Sequence, residues 1–491
     1  MKKRILFLIF ALALLMSTFA GCDEEPKPVP ENIRTPGNTE ELGETNTSEP
    51  FGEDIIQSEN ANPAQEPPEE AEELYPTPDY SGFIMPEATD TLTVYGFDFI
   101  NGTLQTAIEL FEEKYPGLKV EYKLFGQDEY INLLRTELPA GRGPDILLGG
   151  GSELPDIYKS MSTGIFTDLG PYMANDPEYD PADYYENIME GGKLFGKQSI
   201  LPVAFGINVL ITTREVLAAD GTDPGSLGTW EGFVRAAETF HEKHPGKSLI
   251  DYGVNDYYVT ALYECSGFRL IDYEKNEVSF DTDRFRGMLD LCRLYCCPVP
   301  PPSLPLGAGC DNVPNGECLF AYAVGMGCMG ILSQCGLIRY YAEQLPVITS
   351  VPDENGVFSA DIQYFAAVPE GSKNKLNAWR FTKILLSDEM QYGTTPAGEW
   401  AQTAYPVGDP VRKDSLQRLS KVQMEYTGCT EEEVEQFLGL TEKVTNAFMF
   451  TPILRKYVRE YMIPYVSEGN GSNYDKQFGK LMNALELYKD E

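Results

Sequence analysis

The chain has 491 residues, of which 42% are hydrophobic, and its formal net charge is −38. The length predicts two or three domains, and the apolar content is sufficient for substantial cores. A strongly acidic chain lacks the clustered Lys and Arg that nucleic-acid binding requires, and anionic lipid headgroups repel it. These numbers exclude a nucleic-acid partner and attachment to a membrane by charge alone.

Residues 1–21 have the pattern of a signal peptide. Lys2, Lys3 and Arg4 precede a continuous apolar run from Ile5 to Met16. As a helix this run rises about 18 Å, which is too short to span roughly 30 Å of hydrocarbon. The run therefore predicts export. The residues Phe19-Ala20-Gly21-Cys22 resemble a bacterial lipobox, which implies cleavage before Cys22 and lipid on its thiol; the alternative is an ordinary secretory signal followed by a chance cysteine.

Residues 22–90 are predicted to form a disordered tether. Between Asp23 and Asp90 the chain has 19 acidic residues, two basic residues and 11 prolines. Such a segment buries too little apolar surface to offset the entropy lost on ordering. A tether of this kind would hold a working domain away from a membrane, and a processed pro-segment is the alternative.

Strands and helices alternate at the start of the globular part. The predicted elements are a strand over Thr91–Tyr95, an amphipathic helix whose apolar stripe runs from Leu104 to Phe111, a half-buried strand over Val120–Leu124, a helix around Tyr130 to Leu134, and a buried strand over Ile146–Leu148. This alternation predicts a parallel sheet with helical crossovers.

Glycines follow two of these strands, at Gly96 and at Gly149 to Gly151. In parallel sheets ligands bind beyond the carboxyl ends of the strands. Because glycine lets another group approach the backbone closely, the pattern favours a ligand site at these ends over a plain tight turn.

Signals for catalysis or metal binding are weak. The stretch Gly246-Lys247-Ser248 lacks the glycine that a phosphate loop needs five positions earlier, because His241 stands there. His241 and His244 are the two histidines of the chain, and they are predicted to lie at a solvated helix end. No Gly-x-Ser-x-Gly motif occurs, and no spacing singles out a carboxylate pair of the glycosidase type. We therefore expect no enzyme activity, no cofactor and no metal, with a secreted glycan hydrolase as the alternative.

Cysteine usage leaves the disulfide pattern open. Nine cysteines remain after Cys22: Cys265, Cys292, Cys296, Cys297, Cys310, Cys318, Cys328, Cys335 and Cys429. Disulfides are common in exported proteins, but an odd number of cysteines cannot all pair within one chain.

Several stretches together resemble a known family. They are LTVYGFDF at 92–99, LQTAIELFEEKYPGLKVEY at 104–122, LPAGRGPDILLGG at 138–150, TWEGF at 229–233, and the helix that begins AWRF at 378–381. In this order, over about residues 91–490, they resemble the bacterial extracellular solute-binding proteins of family 1, the sugar-binding family that includes maltose-binding protein.

The resemblance implies an α/β, two-lobed periplasmic-binding-protein-like fold of type II. Each lobe would be a sheet flanked by helices, with the ligand cleft between the lobes. Lobe 1 is expected to comprise residues 91–203 and about 325–370, and lobe 2 residues about 204–324 and about 371–491. The family's hinges would fall near residues 203–206, 320–324 and 363–367.

The resemblance also implies a function. The chain would be the substrate-binding component of an ABC importer, monomeric and held by lipid on Cys22 at the extracellular face of the cell membrane. It would capture a small solute, most plausibly a mono- or oligosaccharide, by lobe closure and present it to the permease transmembrane subunits. A solute-binding module that serves a sensor is the other alternative.

The predicted ligand-binding residues combine aromatic rings with polar groups, as sugar recognition requires. They are Phe97, Asp98, Gly151, Ser152, Phe205, Asp256, Tyr257, Tyr258, Tyr364 and Trp400.

Overall fold

A computed structural model of the chain describes residues 78–97, 101–150, 156–251, 255–299, 311–353, 356, 358–394, 401–402, 408–467 and 471–491. The predicted signal peptide, the lipidation site Cys22 and the tether prediction for residues 22–77 lie outside the described residues.

Helices make up much of the described chain. They are α1 (Asn101–Lys114), α2 (Gln127–Glu137), α3 (Ile157–Ser162), α4 (Gly170–Ala174), α5 (Glu186–Met189), α6 (Arg214–Asp220), α7 (Trp230–Lys243), α8 (Asn255–Ser266), α9 (Thr282–Tyr295), α10 (Cys328–Ala342), α11 (Lys375–Leu385), α12 (Asp388–Gln391), α13 (Lys413–Thr427), α14 (Glu431–Glu442), α15 (Pro452–Ser467) and α16 (Tyr474–Asp490). Among the described residues, none of the helices combines the length and the apolar character needed to cross a bilayer.

The strands alternate with these helices along the first part of the chain. They are β1 (Thr91–Phe97), β2 (Lys119–Phe125), β3 (Ile146–Gly149), β4 (Lys193–Leu194), β5 (Lys197–Gln198), β6 (Leu201–Thr213), β7 (Ser248–Ile250), β8 (Ile271–Asp272), β9 (Glu277–Val278), β10 (Cys318–Met326), β11 (Pro346–Thr349), β12 (Phe358–Ala367), β13 (Gly393–Thr394), β14 (Ala401–Gln402), β15 (Asp409–Pro410) and β16 (Val444–Phe448).

The predicted β–α–β–α–β unit at the start of the body is confirmed. Strand β1 pairs in parallel with β2 and with β3, and α1 and α2 are the two crossovers. The apolar stripe of α1 is buried at Leu104, Ala107 and Phe111. Periodicity therefore located both the elements and their relative direction.

A ten-stranded mixed sheet runs through the molecule in the order β2-β1-β3-β12-β6-β10-β7, with β11 and β15 paired to β6 and β16 paired to β12. The long strand β6 changes partner near its middle. It pairs with β12 from Leu201 to Ile207 and with β10 from Ile207 to Ile211. One continuous strand thus joins the two ends of the sheet.

Two hydrophobic cores lie along this sheet. The larger core surrounds β1, β3 and the first half of β6, and the smaller core packs α7, α8, α9, α15 and α16 around β7. Two cores joined by β6 and flanked by helices form the α/β arrangement of a type II periplasmic-binding fold, as predicted.

The buried side chains of residues 378–449 belong to the larger core, from Ala378 to Met449. The sequence analysis assigned this stretch to the second lobe, whereas its buried hydrophobic side chains belong to the same hydrophobic cluster as those of β1 and β3. The division into lobes therefore stays a proposal, and we propose that residues 378–449 lie with the first lobe.

One helix glycine provides a test of packing between helices. A Cβ atom added to Gly336 in α10 would lie 1.9 Å from the carbonyl oxygen of Thr427 at the end of α13. We expect Gly336→Ala to lower the free energy of unfolding by about 1–3 kcal/mol, because this backbone contact has no flexible side chain to yield. Urea unfolding measures the change.

The matched control is Gly439→Ala in α14, where no atom lies within 4 Å of the added Cβ. There alanine is expected to raise stability by up to about 1 kcal/mol, since it favours the helix. Equal effects of the two substitutions would show that α10 and α13 do not touch in this way.

Candidate ligand-binding site

The carboxyl ends of β1 and β3 lie side by side. Phe97 ends β1, is buried, and contacts the ring of Tyr130 edge-on at 5.1 Å between centroids. The Tyr130 hydroxyl donates to the carbonyl oxygen of Leu148 in β3 at 3.0 Å. Gly149 and Gly150 follow, and both are buried. Parallel pairing therefore brings together the two glycine-flanked strand ends, as expected from the sequence.

A buried carboxylate marks the end of β7, in the smaller core. Asp251 follows Ile250 directly, and its Oδ1 accepts a hydrogen bond from the backbone N–H of Tyr322 at 3.0 Å. Burial raises the pKa of Asp251 to about 7 because desolvation disfavours the charged form. This strand end leads into α8, which begins with the predicted ligand residues.

Aromatic residues among the predicted ligand contacts are buried wherever the structure describes their side chains. Phe205 and Tyr364, on the strands that join the two cores, are 0% and 1% exposed. Tyr258 in α8 is 1% exposed, and its hydroxyl donates to the carbonyl oxygen of Cys297. Together with Phe97, these rings are covered by protein atoms, so their contact with a ligand stays a prediction.

The other predicted site residues lie outside what the structure describes. Asp98, Gly151, Ser152 and Trp400 fall in gaps between described segments, and Asp256 and Tyr257 belong to α8 without described side chains.

Between the two cores lies a polar cluster that the sequence analysis did not identify. We define it as Glu264, Tyr322, Asp361, Gln363 and Arg455. It gathers side chains from α8, β10, β12 and α15. These are the elements that meet where the long strand β6 passes from one core to the other.

Glu264 is the centre of this polar cluster. Its Oε2 accepts a hydrogen bond from the Tyr322 hydroxyl at 2.5 Å, and its Oε1 accepts one from Arg455 Nη1 at 2.8 Å. The Glu264 side chain is 9% exposed and that of Arg455 is 40% exposed. The acid is thus held inside the molecule while part of the Arg455 side chain remains open to solvent.

The neighbours of Arg455 favour its ionised form. Burial lowers the Arg455 pKa, but Glu264, Tyr322 and Asp361 together raise it above its ordinary value. Asp361 Oδ2 accepts a hydrogen bond from Gln363 Nε2 at 2.6 Å. The Arg455 guanidinium also lies 5.8 Å from the ring centre of Phe450. Carboxylates, an amide, a guanidinium and an aromatic ring are the groups that bind a hydroxyl-rich ligand.

One signal in the sequence could have drawn attention to Glu264. It is the one charged residue between Tyr257 and Phe268, in a stretch that is otherwise uncharged. A lone charge in a buried helix is expected to have a partner. The partner Arg455 lies 191 positions further along the chain, and nothing local to it indicates the pairing.

The histidines lie in the helical layer of the smaller core. His244 bonds to Asp220 Oδ1 at 2.9 Å, and the ring of His241 packs on Tyr295 with 4.9 Å between centroids. Over the described part of the chain no three His, Cys, Asp or Glu side chains are arranged to hold a metal ion. The eight cysteines placed by the structure, namely Cys265, Cys292, Cys296, Cys297, Cys318, Cys328, Cys335 and Cys429, are free thiols.

A cavity of about 340 Å³ opens elsewhere, beside Gly267, Arg269, Arg284, Ser359 and Asn446. Its lining includes none of the predicted ligand residues and none of the polar cluster. We therefore propose that the candidate site comprises the strand ends and the polar cluster, whose side chains come from elements of both cores.

Solved structures with the same fold cover most of the chain. The sugar-binding protein MalE from Xanthomonas citri is 15% identical, with 82% of this chain and 97% of that chain covered at a TM-score of 0.57. An oligogalacturonide-binding protein from Yersinia enterocolitica is 14% identical, with 82% and 99% covered at 0.55. A family 1 extracellular solute-binding protein from Alicyclobacillus acidocaldarius is 14% identical, with 83% and 100% covered at 0.53.

The family comparison agrees with this fold. Residues 100–269 match the family model described as bacterial extracellular solute-binding protein. The matched residues run from α1 through β3, β6 and β7 to the end of α8, so they include the carboxyl end of β3 and Glu264. The chain therefore has the type II periplasmic-binding fold.

Proposed function

We propose that the protein captures a mono- or oligosaccharide between its two lobes and delivers it to the permease of an ABC transporter. The observation that carries the proposal is the polar cluster at the junction of the two cores. A partly exposed arginine side chain, two carboxylates and a neighbouring aromatic ring supply hydrogen-bond donors, acceptors and an apolar surface, which complement the hydroxyls and the apolar ring face of a sugar.

Proteins of the same fold support the carbohydrate class. They include the Xanthomonas MalE, the Yersinia oligogalacturonide-binding protein and a cyclic alpha-maltosyl-1,6-maltose binding protein from Arthrobacter globiformis, which matches with 14% identity at a TM-score of 0.53. Capture would follow from closure, since a ligand that touches both lobes favours the conformation with more contacts.

Location follows from the N-terminal sequence. We propose that Cys22 carries lipid and that the acidic segment after it holds the body at the extracellular face of the membrane. The match to an extracellular family supports export, and the predicted signal peptide supplies the route. The protein would bind and release its solute unchanged.

Thermal unfolding against a panel of carbohydrates tests the ligand class. The chain without residues 1–21 would be unfolded with mono- and oligosaccharides, and with polyamines and peptides as controls. A ligand at 100 times its Kd adds about 2.7 kcal/mol of stability, so we expect the midpoint to rise by a few degrees with one class of sugar, which is recovered intact. A shift with a control alone would overturn the carbohydrate assignment, and a cleaved sugar would indicate a hydrolase.

A further inference from the structure

Residues 78–90, at the end of the predicted tether, lie against the larger core. Phe83 and Met85 pack on it, and the Phe83 ring meets Tyr172 of α4 edge-on with 4.9 Å between centroids. This segment was predicted as part of a disordered tether, yet it makes specific contacts at both of its ends.

The first contact is made by Tyr80. Its hydroxyl donates to Asp168 Oδ2 at 2.7 Å, and its carbonyl oxygen accepts from Asn175 Nδ2 at 3.1 Å. The ring covers Gly170 so closely that an added Cβ there would lie 2.6 Å from the Tyr80 hydroxyl oxygen. Glycine at position 170 therefore makes room for the ring.

The second contact uses two buried asparagines. Asn374 Oδ1 accepts from the Thr89 N–H at 3.1 Å, and Asn374 Nδ2 donates to the Thr91 carbonyl oxygen at 2.8 Å. Asn377 Nδ2 donates to the Thr89 carbonyl oxygen at 2.7 Å. Asn374 and Asn377 are 2% and 0% exposed, so two buried amides bond to the backbone of this segment.

Both contacts lie at the amino-terminal edge of the parallel strands. Thr91 starts β1, and Phe97 ends it about 20 Å away at roughly 3.3 Å per residue. Asp168 lies at the same edge, as its neighbour Thr167 shows. The Thr167 N–H donates to the carbonyl oxygen of Val368, and Val368 directly follows Ala367, the residue of β12 that pairs with Leu147 near the start of β3. The candidate ligand site lies at the opposite, carboxyl edge.

We propose that residues 78–90 form a strap that docks on the larger core and fixes where the tether leaves the body, at the edge opposite the candidate ligand site. The consequence for the orientation of the body rests on the proposed function. Because the anchored segment leaves the body at the amino edge of the strands, the edge with the candidate ligand site faces away from the point of attachment.

Cleavage by a glutamate-specific protease tests the strap in the chain without residues 1–21. Glu72 and Glu73 precede the strap, and the exposed Glu87 lies within it. Because proteases need a locally released backbone, we expect cleavage after Glu73 to be fast, with the Glu87–Ala88 bond intact in the folded protein. Tyr80→Ala is expected to speed cleavage after Glu87 at least tenfold, as read by mass spectrometry.

Two further variants keep the test decisive. Gly170→Ala is expected to expose Glu87 in the same way, since its Cβ displaces the Tyr80 ring. Ile84→Ala, at a side chain that is 86% exposed, is expected to change nothing. Two results would overturn the strap. One is equally fast cleavage after Glu73 and after Glu87 in the unmodified chain. The other is unchanged cleavage after Glu87 in the Tyr80→Ala and Gly170→Ala variants when their unfolding midpoints are unchanged. Proteolysis needs neither ligand nor membrane, so this result is independent of the proposed function.

Discussion

Replacing Glu264 with alanine is expected to lower the free energy of unfolding by about 2–3 kcal/mol. The carboxylate is nearly buried and holds both Tyr322 and Arg455. Removing one partner of a buried pair leaves the other charge uncompensated, at a cost of about 3–5 kcal/mol when both are fully buried. The Arg455 side chain is 40% exposed, so water offsets part of that cost and the expected loss is smaller.

Urea unfolding measures this change, with Glu435→Ala in α14 as the control because Glu435 is exposed. We expect the control to stay within about 0.5 kcal/mol of the unmodified protein. Arg455→Met should restore part of the stability when combined with Glu264→Ala, because no charge is then left unpaired. If the single Glu264 variant is as stable as the control, Glu264 does not hold α8 to α15 through this pair.

Stability is expected to fall as the pH rises from about 4 to about 7. Burial raises the pKa of Asp251 and of Asp409 from 3.8 to about 7. At about pH 3, well below the unfolded pKa of 3.8, both carboxyls are largely neutral in the folded and the unfolded chain, so burying them does not reduce stability there. Between the two pKa values the unfolded chain loses these protons while the folded chain keeps them, and the free energy of unfolding decreases. At about 1.4 kcal/mol per pKa unit, the decrease is up to about 4 kcal/mol for each carboxyl.

Asparagine substitutions isolate the two carboxyls. Asp409 sits at the amino end of α10, where both its oxygens accept from the Cys328 N–H at 2.8 and 3.0 Å. An amide oxygen can accept the same bond and does not ionise. We expect Asp409→Asn and Asp251→Asn each to flatten the pH dependence, so that each variant exceeds the unmodified protein at pH 8 and the difference disappears near pH 3.

Unfolding in urea at several pH values provides the comparison, with Asp128→Asn as the control for an exposed carboxyl. Parallel pH curves for the unmodified protein and the Asp409 variant would contradict the assignment of a raised pKa to this group.

The local sequence pattern was enough to predict the first strands and helices. Elements that pair with residues far away along the chain could not be placed from the sequence. Alternation and apolar stripes located β1, α1, β2, α2 and β3, because each depends on residues close in sequence. The position of β12 between β3 and β6 depends on pairing with residues about 200 positions earlier, which periodicity does not encode. For the same reason, the buried hydrophobic side chains of residues 378–449 share one cluster with those of β1 and β3, although they follow them by more than 200 positions.

The candidate site shows the same limit. The glycines at the strand ends could be recognised from the local sequence. The hydrogen bond between Glu264 and Arg455 could not, because it joins residues 191 positions apart. Phe205 and Tyr364 were predicted as ligand contacts, yet their rings are buried in the core. An aromatic ring that stabilises a core and one that binds a sugar have the same sequence signature, and only the packing around them separates the two.

Small-angle X-ray scattering with and without ligand tests the central claim most directly. The chain without residues 1–21 would be measured alone and with a saturating amount of the carbohydrate that raises its unfolding midpoint. We predict that the radius of gyration falls when the sugar binds, because capture closes the two lobes on it. An unchanged radius with the sugar bound would contradict capture by lobe closure.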